Sequence, residues 1–154
     1  MKQNICFTDS PVGKVGIIEN GHAVTRVFFA AENNSTGINI AETELLKEAC
    51  RQLQEYFAGN RKKFDLPLAP EGTSFQLKVW KALQSIPYGE TRSYKDIAIA
   101  VGSPKATRAV GMANNRNPIA IIIPCHRVIG SNGKLVGYGG GMHVKEFLLN
   151  LEQE

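Results

Sequence analysis

Three short apolar runs open the chain. Residues 2–8, 13–19 and 22–30 are rich in Val, Ile and Phe, and turns separate them at Ser10-Pro11-Val12-Gly13 and Asn20-Gly21. Such residues suit the pleated, half-buried surface of a sheet. Asn-Gly between apolar runs supplies the positive φ angles that a tight hairpin needs. Three strands are predicted. The period then changes. Over residues 41–57, Leu46, Ala49, Leu53 and Phe57 recur at helical spacing, and Gly59 provides a stop. Residues 60–72 start basic, then carry Pro67 and Pro70 without periodicity, and read as a linker. The division predicted is an α/β domain over 1–68 and a second domain over 72–154.

The second half reads as mostly helical. Thr73 or Ser74 caps a helix in which Phe75, Val79, Ala82 and Leu83 share a face, until Pro87-Tyr88-Gly89 breaks it. A second helix spans about 93–101, with Tyr94, Ile97, Ala98 and Val101 on one side. Gly102-Ser103-Pro104 then stops and restarts the chain, with Ser103 as N-cap and Pro104 at the first helical position. The third helix, about 104–115, buries Ala106, Ala109, Val110 and Ala113 and turns Lys105, Arg108, Asn114 and Asn115 outward. Two short helices joined by a glycine turn form either a helix-turn-helix or an ordinary helical hairpin. Basic and amide side chains among small residues suit phosphates and base edges. The run Ile119–Ile123 is continuously apolar and predicted buried. Gly137-Tyr138-Gly139-Gly140-Gly141 is predicted as a loop. A last helix, about 142–153, turns Val144, Phe147, Leu148 and Leu151 inward.

Composition narrows the classes. Of 154 residues, 43% are hydrophobic, enough for a packed core. No apolar stretch reaches the length of a membrane span, and MKQNICFTDSPVG lacks the apolar region of a secretory signal. A cytoplasmic, non-membrane protein is expected. The net charge of +4 is uneven: residues 1–71 carry 8 basic against 9 acidic residues, residues 72–154 carry 10 against 5. The second half is the candidate for a polyanionic partner. Cys6, Cys50 and Cys125 are odd in number and widely spaced, which favours neither a disulfide framework nor a zinc site. No metal is expected.

Chemistry concentrates at Pro124-Cys125-His126-Arg127. A cysteine is a strong nucleophile as the thiolate, which a neighbouring base or positive charge favours. His126 is a candidate base, and Glu152 on the last helix a candidate group to orient it. The bland reading is a small core cysteine and a solvated Glu152. His22, His143, Cys6 and Cys50 carry no signal. From the residues alone, a thiolate nucleophile beside a DNA-binding element, a helix-turn-helix regulator with an inert cysteine, and a cysteine hydrolase all stay open. The hydrolase is weakest, since no oxyanion hole is recognisable.

Ile123-Pro124-Cys125-His126-Arg127-Val128 resembles the active-site signature of the O6-alkylguanine-DNA alkyltransferases, the methylated-DNA–protein-cysteine methyltransferase family. Thr73-Ser74-Phe75-Gln76-Leu77-Lys78-Val79-Trp80 is similar to the first helix of that family's C-terminal domain. Ile86-Pro87-Tyr88-Gly89-Glu90-Thr91 with Ser93-Tyr94, Arg108-Ala109-Val110-Gly111, Asn117-Pro118, and Val144-Lys145-Glu146-Phe147-Leu148-Leu149 with Glu152 follow in order. The resemblance is dense over 73–154 and loose before it, through Thr8-Asp9-Ser10-Pro11-Val12-Gly13.

The resemblance implies an N-terminal α/β domain of ribonuclease-H type and a mostly α C-terminal domain of winged-helix (helix-turn-helix) type. It implies DNA repair by direct, single-turnover transfer of an alkyl group from O6-alkylguanine to Cys125, with O4-alkylthymine a further substrate it admits. No cofactor is implied. His126 would draw the thiol proton through water, Glu152 would hold His126, and Asn117 would brace the turn before the active-site strand. Tyr94 would donate to the base and crowd the phosphate. Arg108 would enter the duplex as the finger replacing the flipped base, with Ser93, Lys105, Ala109 and Asn115 on the same DNA face. Carbonyls of Cys125 and Val128 would receive the guanine amine. Tyr138, the Gly139 backbone N–H and Asn114 would complete the base pocket. The partner implied is the minor groove of double-stranded DNA carrying an alkylated base, met by a monomer. Departures are Gly139 where several members have serine, Ala120 where some have proline, and Asn114 where some have an apolar residue. No N-terminal zinc-binding cysteine domain of the adaptive-response type is expected. The family's non-catalytic relatives, which replace the cysteine, are the closest rival, and Cys125 argues against them.

Overall fold

The computed structural model describes residues 3–30, 37–130 and 141–154. The chain divides into two compact units, Met1–Pro70 and Glu71–Glu154.

In the first unit, β1 (Asn4–Thr8), β2 (Val15–Glu19) and β3 (Val24–Phe29) form an antiparallel meander, and β4 (Asn39–Ile40) adds to β1 in parallel, giving the order β3-β2-β1-β4. One face packs Ile5, Ile18 and Phe28 with Phe7. Gly16 lies between Phe7 and Phe28 in register, and a Cβ there would meet the Phe28 ring at 2.3 Å. Only glycine lets that ring cross the strand. The other face, with Cys6, Val15, Ile17 and Val27, receives α1 (Glu44–Phe57).

Helix α1 begins three residues later than the sequence pattern predicts. Thr43 caps it by accepting from the Leu46 N–H, which leaves Ala41 and Glu42 outside. Its buried stripe is Leu46, Ala49, Gln52, Leu53 and Tyr56, so Tyr56 takes the inward place expected for Phe57. Gln52 is buried because its amide is satisfied: it donates to the Asp65 carbonyl and accepts from the Asp65 N–H. The expected linker is partly ordered on the sheet. Val24 donates to Pro67 and accepts from Ala69, a parallel bridge that holds Leu68 against β3.

The second unit contains α2 (Ser74–Leu83), β5 (Arg92–Ser93), α3 (Tyr94–Ala100), α4 (Thr107–Asn115), a 3-10 turn (Cys125–Arg127), β6 (Val128–Ile129) and α5 (Met142–Leu151). Thr73 and Gln76 form a capping box on α2, as Ser93 and Asp96 do on α3. Trp80, fully buried, ties α2 to α4 through its indole N–H to the Ala113 carbonyl at 2.8 Å.

Three expectations need correction. Helix α4 starts at Thr107, not 104: Ser103 is no N-cap, because Ala106 N–H closes a turn on the Ser103 carbonyl and the helix starts uncapped by any side chain. Asn114 points inward, because it lies one turn after Val110 on the buried stripe, while Ala109 is exposed and Ala106 only half-buried. Ile119 and Ile121–Ile123 are buried, as expected, with Ala120 half-buried, and the segment is folded into tight turns. Ile122 N–H bonds to Ala120 and Ile123 N–H to Ile119, and Ile121 sits at φ 71°. A β-branched residue in that region stores strain on the order of 1–3 kcal/mol. On α5, Phe147 is half-buried and Lys145 takes an inward position. No helix among the described residues is long and apolar enough to cross a membrane.

Candidate active site

Two very short strands assemble the site. β5 and β6 pair in parallel, Arg92 with Val128 and Ser93 with Ile129. Tyr94 directly follows β5, and the Cys125–Arg127 turn directly precedes β6. The pairing therefore sets the start of α3 beside the cysteine turn. The turn itself is held from behind by Asn117. Its amide donates to the Ile123 carbonyl at 2.7 Å and the Ile119 carbonyl at 3.3 Å, and its oxygen accepts from Ile119 N–H at 3.0 Å. These bonds hold the strained Ile119–Ile123 turns that lead into Cys125.

Cys125, His126, Arg127 and Glu152 are all buried. His126 Nε2 and Glu152 Oε2 are 2.7 Å apart. Arg127 grips the same carboxylate with a fork, Nε to Oε1 at 2.8 Å and Nη2 to Oε2 at 3.0 Å, and its Nη1 donates to the Ile86 carbonyl at 2.7 Å. The fork fixes both oxygens, so the imidazole meets a carboxylate that cannot rotate. Burial pushes the His126 pKa down, the cations of Arg127 and Lys145 push the same way, and Glu152 opposes. The ring is neutral at neutral pH, and its Nδ1 has no hydrogen-bond partner among the described residues. A neutral imidazole with one nitrogen tied to a carboxylate is a proton acceptor at the other.

Two further groups face the sulfur. Tyr94 has its pKa raised by burial and then by the charge of Cys125, against a hydrogen bond from Asn114. Its phenol thus stays protonated and able to donate. Lys145 is fully buried on α5; its Nζ donates to the Val128 carbonyl at 2.5 Å and lies 6.0 Å from the Tyr94 ring centroid. Burial lowers its pKa to about 8, while attraction to the Cys125 thiolate works the other way. At neutral pH a buried ammonium therefore favours negative sulfur. The buried thiol, the tethered neutral histidine, the protonated phenol and the ammonium together suit a nucleophilic displacement in which sulfur attacks and the leaving group receives a hydrogen bond.

Residues 74–154 match the family described as 6-O-methylguanine DNA methyltransferase, DNA binding domain, and residues 6–70 match its ribonuclease-like domain. The chain belongs to the 6-O-methylguanine DNA methyltransferase family. It is 55% identical over 148 residues to the methylated-DNA--protein-cysteine methyltransferase of Methanosarcina barkeri, with 94% of each chain covered. It is 55% identical over 152 residues to the constitutive enzyme of Bacillus subtilis, covering 94% of this chain and 92% of that one. The crystal structure of Mycobacterium tuberculosis OGT in complex with DNA matches with a TM-score of 0.92 and 48% identity, over 97% of this chain and 92% of that one. The fold class expected from the resemblance, a ribonuclease-like domain followed by a helical DNA-binding domain, is the one found.

In this methyltransferase the residues singled out from sequence fall into two groups. Cys125, His126, Glu152, Asn117, Tyr94, Asn114 and Val128 converge on the buried turn. Asn114 donates to the Cys125 carbonyl at 3.3 Å, and the Val128 carbonyl accepts from Lys145. The Cys125 carbonyl also accepts from the Val128 backbone N–H, so both of its lone pairs are engaged. Arg108, Ala109 and Asn115 lie exposed on α4, with Lys105 exposed just before it. Ser93 is half-buried, and its hydroxyl is engaged as the cap of α3. Tyr138 and Gly139 lie outside the described residues. Among the described residues no group of three or more His, Cys, Asp or Glu could hold a metal ion.

Sequence reasoning missed Lys145, and it placed Arg127 in the cysteine signature without giving it a role. The signal for Lys145 was present: Lys145, Leu148 and Glu152 share one helical stripe at i, i+3 and i+7. Arg127 carried no periodic signal, being recruited by the turn.

Proposed function

We propose that this chain repairs DNA by moving the alkyl group of an O6-alkylated guanine onto Sγ of Cys125, once per molecule. The observation that supports it best is the convergence of a neutral, carboxylate-tethered His126, a protonated Tyr94 and a buried Lys145 ammonium on one cysteine.

His126 Nδ1 takes the thiol proton, directly or through water, and Glu152 stabilises the imidazolium that results. The sulfur attacks the alkyl carbon in line as the carbon–O6 bond breaks. The electron pair goes to the purine, and Tyr94 donates to it as its negative charge grows. The product is a thioether, which no ordinary base hydrolyses, so the protein is consumed. The target atom lies inside the base stack, so the nucleotide must be flipped out, at a lower cost when its pairing is already damaged. Arg108, exposed on α4, fills the space it leaves. Ala109 permits close approach in the minor groove, and Lys105 and Asn115 serve phosphates and base edges. A monomer in a reducing cytoplasm suffices for every step.

The test is stoichiometry. Purified protein is mixed with excess duplex bearing O6-methylguanine, and intact mass is followed against repaired DNA. The expectation is one methyl per chain and an equal amount of restored guanine. An unchanged protein mass with retained DNA binding would establish a non-catalytic lesion binder instead, and repair beyond one equivalent would establish turnover.

A further inference from the structure

Two of the three cysteines take no part in the chemistry of Cys125. Cys6 lies on β1 opposite Ile17, on the sheet face that receives α1. Cys50 lies in α1, one turn after Leu46 and three residues before Leu53, on the stripe that packs against that face. The fold brings these two residues, 44 positions apart, to an Sγ–Sγ separation of 3.1 Å. Both are free thiols. The gap is about 1 Å longer than a disulfide bond of roughly 2.05 Å. A rigid strand and the middle of a helix hold the pair, so closing it needs only a small side-chain adjustment. The pair also opens outward. It borders a cavity of about 200 Å³ lined with Glu42, Lys47, Arg51 and Gln54. Cys50 is half-buried and Cys6 is buried behind it.

We propose that Cys6 and Cys50 form a peroxide-reactive dithiol that closes to an intrachain disulfide, a modification site distinct from the alkyl acceptor. The hydrogen bond from Cys6 lowers the pKa of Cys50, whereas the same bond and burial push Cys6 up. Glu42 opposes ionisation at both. Cys50 is thus the thiolate that meets the oxidant, and Cys6 the thiol that resolves it. In the first step the Cys50 thiolate attacks one oxygen of hydrogen peroxide. The O–O bond breaks, and sulfenic acid and hydroxide form. In the second, Cys6 sulfur attacks Cys50 sulfur. The S–O bond breaks, the Cys6 proton leaves with the departing hydroxyl as water, and the disulfide remains. Two thiols are oxidised by two electrons and one peroxide is reduced to two waters.

The full reduced chain is treated with a small excess of hydrogen peroxide, quenched, denatured and blocked with iodoacetamide. We expect a protein lighter by two hydrogens before blocking and one alkylatable thiol in place of three. Trypsin should release residues 3–14 joined to residues 48–51, with the peptide 117–127 carrying a blocked Cys125. Cys6→Ala should stop Cys50 at a sulfenic acid that dimedone traps, and Cys50→Ser should give neither adduct nor cross-link while retaining alkyl transfer. Should Cys6→Ala fail to fold, the wild-type peptide map decides alone. Cys6 and Cys50 still fully alkylatable after peroxide, or a disulfide that includes Cys125 or joins two chains, would overturn the proposal.

Discussion

Glu152→Gln tests the geometry of the buried triad. The substitution keeps shape and removes a charge that His126 meets at 2.7 Å and Arg127 at 2.8 and 3.0 Å. With the carboxylate gone, the buried Arg127 guanidinium keeps, among the described residues, the Ile86 carbonyl and the Tyr88 ring 5.7 Å from its Cζ. Breaking a buried ion pair on one side costs about 3–5 kcal/mol. A chain of this size typically has about 5–15 kcal/mol in total. The melting temperature should fall by about 6–20 °C, at about 2–4 °C per kcal/mol. Alkyl transfer should slow by about 10²–10⁴-fold as the imidazole loses its tether. Circular dichroism melts and quenched-flow transfer assays read the two effects separately. Replacing both partners, as Arg127→Leu with Glu152→Leu, should recover much of the stability and none of the rate, because the stranded cation is gone while His126 still lacks its carboxylate. A Glu152→Gln protein that melts within about 2 °C of wild type, on the same conversion, and transfers at full rate would refute the reasoning.

Other perturbations probe separate parts. Arg108→Ala touches an exposed side chain, so stability should change by less than about 0.5 kcal/mol. Repair of duplex DNA should slow far more than reaction with free O6-benzylguanine, and equal losses would count against the finger role. Lys145→Met should abolish the part of the transfer-rate profile that declines as pH rises through about 8, where the wild-type ammonium is neutralised; an unchanged profile would remove Lys145 from the chemistry. His126 has a folded pKa below its unfolded value of about 6.5. As pH falls below about 6.5 the unfolded state binds the proton first, so stability declines until the folded value is passed, and is intact above the window. Denaturant midpoints at acid and neutral pH should show this decline in wild type and a smaller one in His126→Gln.

Much of the molecule was legible because local patterns agree with the final packing. Asn20-Gly21 and the three apolar runs are enough to specify the meander, and Thr73 with Gln76 marks the start of α2. The cysteine signature and Glu152 marked the triad: the residue types alone suggested a base and its orienting carboxylate, and the resemblance strengthened the link between segments 26 residues apart. What escaped depends on tertiary context. Asn114 was placed outward because amides usually face water, yet it lies one turn after Val110 and finds partners inside. Ile119–Ile123 has strand composition, but Asn117 captures its backbone groups in turns. Lys145 was hidden by its charge, since a lysine on an amphipathic helix is ordinarily solvated. The meeting of Cys6 and Cys50 joins a strand to a helix across 44 residues, and no local pattern encodes it.

The most direct measurement is to locate the transferred group. Protein reacted with duplex DNA carrying an isotope-labelled O6-methyl group is digested and its peptides sequenced by mass spectrometry. The account predicts all label as S-methylcysteine at Cys125, within residues 117–127, and none in a Cys125→Ser protein. Label on Cys6 or Cys50, or repaired DNA with unlabelled protein, would contradict it.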